Sequence, residues 1–115
     1  MTEERIAELL KLKEVLVEHL PVGVSFISLD ILLTVYHQWI GNREDGCQMK
    51  HLFNSLPYSE MGIRIQLRRL VQRGWLSLQP GKSDRRKKYV LITPKTFERF
   101  KLLDAQLFGS LKPRR

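Results

Sequence analysis

Two short stretches of this chain carry guanidinium and ammonium groups at unusual density. In the first, Arg64, Arg68 and Arg69 recur along one segment; in the second, Lys82, Arg85, Arg86, Lys87 and Lys88 crowd into a single loop. Guanidinium groups grip planar oxyanions and base-like edges through two parallel hydrogen bonds, and ammonium groups act as point charges. Crowded cations repel one another unless a polyanion or counterions neutralise them. One carboxylate, Asp84, stands inside the second cluster. The chemistry on offer is recognition of an extended anion.

The elements that must hold these groups can be read from the surrounding residues. Ser59 is a good helix N-cap, and Glu60 sits where the helix dipole favours an anion. Ile63, Leu67, Leu70 and Val71 follow at the spacing of one buried stripe. Met61, Ile65, Arg68 and Gln72 then point the opposite way, flanked by Arg64 and Arg69. Gly74 fits the position after a helix, where a positive φ stops it. Residues 75–79 and 88–93 alternate as strands, with Leu76 and Leu78 on one face and Val90 and Ile92 on one face. Residues 80–87 join them, so the cationic loop is the tip of a β-hairpin.

Upstream, residues 1–20 predict a helix capped by Thr2. Its apolar face includes Ile6, Leu9, Leu10, Val15, Leu16, Val17 and Leu20. That face either packs on the core or serves partly as a dimer surface. Residues 22–27 read as an extended connection. Ser28 is expected to cap a second helix ending at Gly41, with Leu29, Leu32, Leu33, Tyr36 and Ile40 inward and Ile31, Val35 and Trp39 widening the stripe. A polar loop at 41–46 leads to a short helix over 48–56, then to the turn Pro57-Tyr58. Short helix, turn and longer basic helix is the helix-turn-helix order. Thr93-Pro94 starts a last helix, with Phe97, Phe100, Leu103 and Leu107 inward, ending at Gly109 before a loose basic tail at 111–115. The expected fold is mainly α with a small β-hairpin wing (α+β), a winged helix-turn-helix. It is read as one domain over 1–115, divided into an N-terminal helix (1–20), core helices and wing (28–93), and a C-terminal helix (94–109).

The net charge of +8 and a pI near 10 point to an anionic partner. Distribution says more than the total. Residues 1–47 carry four Lys/Arg against eight Asp/Glu, whereas residues 48–115 carry sixteen against four. Positive charge is confined to the half that holds the helix and hairpin. Cys47 is the only cysteine and reads as a small buried residue. His19, His37 and His51 do not form a metal spacing with it, and there is no phosphate loop, nucleophile–base pattern or carboxylate pair. The sequence therefore predicts no enzyme, no cofactor and no metal. No signal peptide and no apolar run of membrane-spanning length is present, so a soluble cytoplasmic, nucleoid-associated protein is expected.

Residues 50–95 resemble the MarR-type winged-helix regulators of bacteria and archaea. The resemblance is carried by Leu70, Arg73, Gly74, Trp75 and Leu76, then by Asp84, Arg86, Val90, Ile92 and Thr93, which fall on the offsets of that family's wing. It implies a homodimer that binds palindromic duplex DNA, with the recognition helix in the major groove. It further implies that Arg86 enters the minor groove and that Asp84 orients it; the plain alternative for Asp84 is a turn residue. The family has two helices after the wing where this chain has one, so the mode of dimerisation stays open.

Placed on this frame, the base-reading candidates are Met61, Gly62, Arg64, Ile65 and Arg68. Arginines would meet guanine O6 and N7, and apolar side chains would meet thymine methyls; for Met61 and Ile65, contact with the hairpin or a neighbouring helix is an equal reading. Gly62 would allow close approach to the DNA. Phosphate candidates are Ser59, Arg69, Lys82, Arg85, Lys87 and Lys88. The expected function is a sequence-specific double-stranded DNA-binding transcription regulator, a repressor in preference to an activator. Rival readings are a winged-helix module of a replication, partition or other mobile-element assembly with auxiliary DNA binding, and a protein-only adaptor.

Overall fold

The computed structural model describes residues 2–20 and 25–108. Of the extended connection expected over 22–27, residues 22–24 fall outside them, as do Gly109 and the basic tail, and Phe26 and Ile27 are helical instead of extended because Ser25 caps the helix ahead of them.

Five helices and a three-stranded sheet follow in the order α1 (Glu3–His19), α2 (Phe26–Gly41), β1 (Cys47–Gln48), α3 (Met49–Ser55), α4 (Glu60–Gln72), β2 (Leu76–Pro80), β3 (Lys88–Ile92) and α5 (Pro94–Phe108). The α+β winged helix expected from sequence is the fold observed. The sheet departs from the expected two-stranded hairpin. Its order is β1-β3-β2, with β1 antiparallel to β3 through Cys47 opposite Val90 and Gln48 opposite Tyr89. This added strand takes the first residue of the short helix predicted over 48–56. Two residues are too few to show alternation, which is why the pattern hid it. Gly46, at φ +82°, makes the entry; a Cβ there would lie 2.5 Å from the Val90 carbonyl oxygen. Only glycine permits that approach.

The core joins α2, α4, the sheet and α5. Ile31, Leu32, Val35, Cys47, Leu52, Ile63 and Val90 are fully buried within it. On α2 the inward face differs from expectation: Ile31, Leu32 and Val35 are buried, while Leu33 and Ile40 are exposed. A helix apolar on nearly every side does not declare its inner face by periodicity. The cap differs too. Ser25, not Ser28, accepts from the Ile27 amide at 3.1 Å. Ser28 is buried instead, and its hydroxyl donates to Gln66 Oε1 at 3.1 Å, tying α2 to α4. Burial of Ser28 is tolerable because its hydroxyl finds that partner.

At the start of α5, Thr93 caps the helix as expected, its hydroxyl accepting from the Thr96 amide. The same hydroxyl donates to the Gly74 carbonyl at 2.7 Å, and Thr96 donates to the Trp75 carbonyl. Lys95 adds a bond to the Arg73 carbonyl at 3.1 Å and lies over the Trp75 ring. These contacts fasten the end of α4 to the start of α5. α1 packs chiefly on α5, through buried Val15, His19 and Leu20, with His19 Nε2 2.7 Å from Gln106 Oε1. Ile6, Leu9 and Leu10, however, remain about half exposed, at 47%, 49% and 57%. No helix among the described residues is long and apolar enough to cross a membrane.

Candidate nucleic-acid interface

Helix α4 forms where its residues predict. Ser59 Oγ accepts from the Gly62 amide at 3.0 Å. Ile63, Leu67 and Leu70 are buried, the first fully. Gly74 adopts φ +81°, its amide bonds to the Val71 carbonyl, and the Trp75 amide reaches the Leu70 carbonyl at 2.9 Å. This pair of bonds is the Schellman arrangement that satisfies the last carbonyls of a helix. With the stripe buried, the outer residues have nowhere to go but outward: Arg64, Arg68 and Arg69 are exposed, Met61 is 67% exposed and Ile65 40%. The packing reading of Met61 and Ile65 is thus the weaker one within this chain.

Gly62 faces another way. A Cβ built on it would lie 3.1 Å from Ser59 Oγ and 3.6 Å from Ile27 Cδ1. The space it leaves adjoins its own helix cap and α2, so packing accounts for this glycine without a ligand.

The helix is oriented by its neighbours. The Tyr58 hydroxyl donates to Asp30 on α2. That bond to a carboxylate holds the phenol proton on and raises its pKa. Together with the Ser28–Gln66 bond it ties the N-terminal part of α2 to α4 and to the turn before it. Neither pairing was legible from spacing, because each joins residues far apart in the chain.

The wing is built around two close approaches. The Gly81 amide donates to the Lys87 carbonyl at 2.8 Å, and the Lys87 amide to the Asp84 carbonyl at 3.1 Å. Asp84 bonds both the backbone and the side chain of Arg86. Its Oδ1 accepts from the Arg86 amide at 3.0 Å, which is an Asx turn, and from Arg86 Nε at 3.3 Å; Oδ2 accepts from Arg86 Nη2 at 3.5 Å. The Arg86 guanidinium, then its amide, and then the charge of Lys87 hold the Asp84 carboxyl below its ordinary range. The Arg86 side chain is nonetheless 93% exposed. The Arg86 backbone and one edge of its guanidinium are held by Asp84, and the side chain otherwise lies in solvent.

Of the remaining cations, Lys82 pairs with Glu44 of the α2–β1 loop at 3.1 Å, an exposed bridge that leaves it the least available of the wing cations. Arg85, Lys87 and Lys88 are exposed. Arg64 is engaged in a way the sequence reading missed. Its Nη2 and Nε donate to Glu60 Oε1 at 2.7 and 3.2 Å, and its guanidinium lies 4.7 Å from the centre of the Phe53 ring on α3. An open cleft lies beside it. Arg64 forms one wall, Gln48, Met49, Lys50 and Phe53 a second, and Arg86, Lys87 and Lys88 of the wing a third. The structure therefore brings Arg64 together with three wing cations, and adds Lys50 and Gln48, which sequence reasoning did not single out. Arg68 and Arg69 lie four and five residues further along α4 and do not line this cleft. No local signal marks Lys50, since it is the pairing of the two-residue strand β1 with β3 that sets α3 beside the wing.

No protein-family model matches the chain, and no curated protein matches it. Solved structures do. A mutant of the MepR protein of S. aureus, bound to an oligodeoxyribonucleotide, superposes with a TM-score of 0.70 at 16% identity, covering 94% of this chain and 72% of that one. A transcriptional regulator from Thermotoga maritima gives 0.63 at 24% identity, covering 95% and 75%. A mutant MarR from E. coli complexed with operator DNA gives 0.60 at 21% identity, covering 90% and 70%. The fold is that of the MarR-like transcription regulators.

Proposed function

We propose that this chain is a sequence-specific double-stranded DNA-binding transcription regulator of the MarR type, a repressor, acting as a homodimer. In this reading α4 enters the major groove and the wing enters the adjoining minor groove. Met61, Ile65 and Arg68 meet base edges; Ser59, Arg69, Arg85, Lys87 and Lys88 meet phosphates; Arg86 probes the minor groove, oriented by Asp84. The observation that carries the reading is the cleft between α4 and the wing. Cations from both elements line it, in a fold shared with proteins solved on DNA. A narrow A/T-rich minor groove attracts an arginine by its electrostatic potential, and the Asp84 brace supports this role for Arg86. The half-exposed apolar face of α1 supports association of two copies, since large exposed apolar patches mark interaction surfaces. A module within a replication or partition assembly is less well supported, because the structural neighbours are regulators. The fold neighbours also favour a non-enzymatic protein in the cytoplasm.

Mobility-shift titration of the full chain on fragments selected from random DNA tests the proposal. A palindromic selected site, affinity that falls steeply with salt, and clear weakening by Arg86→Ala are the expected results. A flat salt response rejects phosphate neutralisation, and an Arg86→Ala chain that binds like the wild type removes the wing from the interface.

A further inference from the structure

We infer that Arg64 is a backbone-gripping residue and not a base reader, and that with Lys50 and the wing cations it forms a clamp for a single DNA strand. The inference rests on the DNA-binding reading above and assigns a site within it. The duplex strand that separates the major groove from the minor groove must pass between an element lodged in one and an element lodged in the other. In this molecule the space between α4 and the wing is the cleft walled by Lys50, Phe53, Arg64, Lys87 and Lys88. Its chemistry suits a phosphodiester: cations on three walls, and the Gln48 amide at the edge as a neutral donor.

The state of Arg64 argues the same way. Bidentate capture of guanine needs two donors of the guanidinium aimed at the base. Two of its nitrogens, Nε and Nη2, are already given to Glu60, and its position over the Phe53 ring turns the group toward α3. The Nη1 and Nη2 edge that remains can fork onto the oxygens of a phosphate, and the place of Arg64 over Phe53 in the wall of the cleft assigns that edge to the passing strand. Glu60 and Phe53 are thus positioning residues for Arg64. Lys50 and Arg64 add phosphate contacts beyond those of the wing, whereas sequence discrimination falls to Met61, Ile65 and Arg68 on the outer face of α4.

The test measures binding of the full chain to a selected duplex and to a shuffled duplex of equal length across a salt series. Lys50→Ala and Arg64→Ala are each expected to weaken both duplexes by the same factor. Each is expected to reduce the slope of log K against log salt by about 0.9, which makes the loss between about 50 and about 200 mM salt smaller by roughly three- to fourfold. Arg64→Lys should recover most of the affinity, because a phosphate accepts a point charge. Both positions are exposed, and an unchanged thermal melting curve confirms folded variants. Arg64→Ala lowering the ratio of selected to shuffled affinity while leaving the salt slope intact overturns the inference in favour of base reading. Unchanged affinity and slope in both variants, with a steep wild-type slope, overturns the clamp and leaves the DNA-binding proposal standing. A flat wild-type response overturns both.

Discussion

Helices α1 and α4 begin alike and end up in different circumstances. Each has a hydroxyl cap, Thr2 or Ser59, and acidic residues in its first turn. Each carries an apolar stripe. In α4 that stripe is consumed: Ile63, Leu67 and Leu70 are 0–2% exposed, and the opposite face is left to cationic groups with Met61 and Ile65 set among them. In α1 only the C-terminal turns are covered, by α5, and Ile6, Leu9 and Leu10 stay half exposed. The difference separates two uses of an amphipathic helix. One apolar face is complementary to a surface of its own chain, so the other face is committed to solvent or ligand. The other apolar face has no complement of that size among the described residues, which is what an association surface requires.

Substitutions can break or sharpen this contrast. The largest effect is expected in the consumed stripe: Leu67→Ala should cost about 2–5 kcal/mol in denaturant unfolding, the usual range for a buried leucine. A loss under about 1 kcal/mol would mean that α4 is less firmly seated than its burial indicates. Gly46→Ala should cost at least about 2 kcal/mol, through left-handed backbone and the clash with Val90. It should also loosen β1 and with it the placement of Lys50, so binding and stability fall together. Gly74→Ala has a similar positive φ but open space around the Cβ, so about 1 kcal/mol is expected from backbone strain alone. At the other helix, Leu10→Ser should change unfolding of the isolated chain by no more than about 0.5 kcal/mol. It should instead shift sedimentation from dimer toward monomer; a chain that sediments identically with and without it denies α1 this role.

The smallest effect concerns pH. The Asp84 carboxyl titrates below its unfolded value, so its bracing of Arg86 is present above the ordinary carboxylate pKa and is lost only as pH falls through the lowered folded value. Between about pH 5 and about pH 8, wing order read from Arg86 amide exchange should not respond to Asp84 ionisation. Cys47 offers a separate control on the core. Burial pushes its thiol up to about 11, so alkylation near neutral pH should report opening of β1 and not surface reactivity.

Much of this molecule is legible before folding because its signals are local. A serine followed by an apolar stripe at helical spacing and closed by glycine specifies α4 within sixteen residues, from Ser59 to Gly74. Thr93-Pro94 marks the start of α5, and the Asp84–Arg86 spacing lets a two-residue turn form its own brace. The legible features share short separation, where backbone geometry alone decides what can touch. β1 was not legible because two residues carry no period. The face of α2 was not legible because its apolar residues spread over more than half of the helix, so the narrow polar side of Asp30, Thr34, His37 and Gln38 does not single out which of them face inward. The role of Ser28 was misread because a serine near a helix start suits a cap and a buried hydrogen bond equally, and only Gln66, thirty-eight residues away, decides between them.

By itself the sequence determined which segments coil, where they stop, and that the positive charge gathers in one half of the chain. Those outcomes follow from side-chain shape, local hydrogen bonding and periodicity, all of which act over a few residues. Only the tertiary structure decided that Arg64 lies over Phe53, that Lys50 stands opposite the wing, and that the α1 stripe goes uncovered. Each of these depends on which distant surfaces meet. The pairing of Cys47 with Val90, more than any motif, sets α3 beside the wing and so makes one cleft of three separate basic segments.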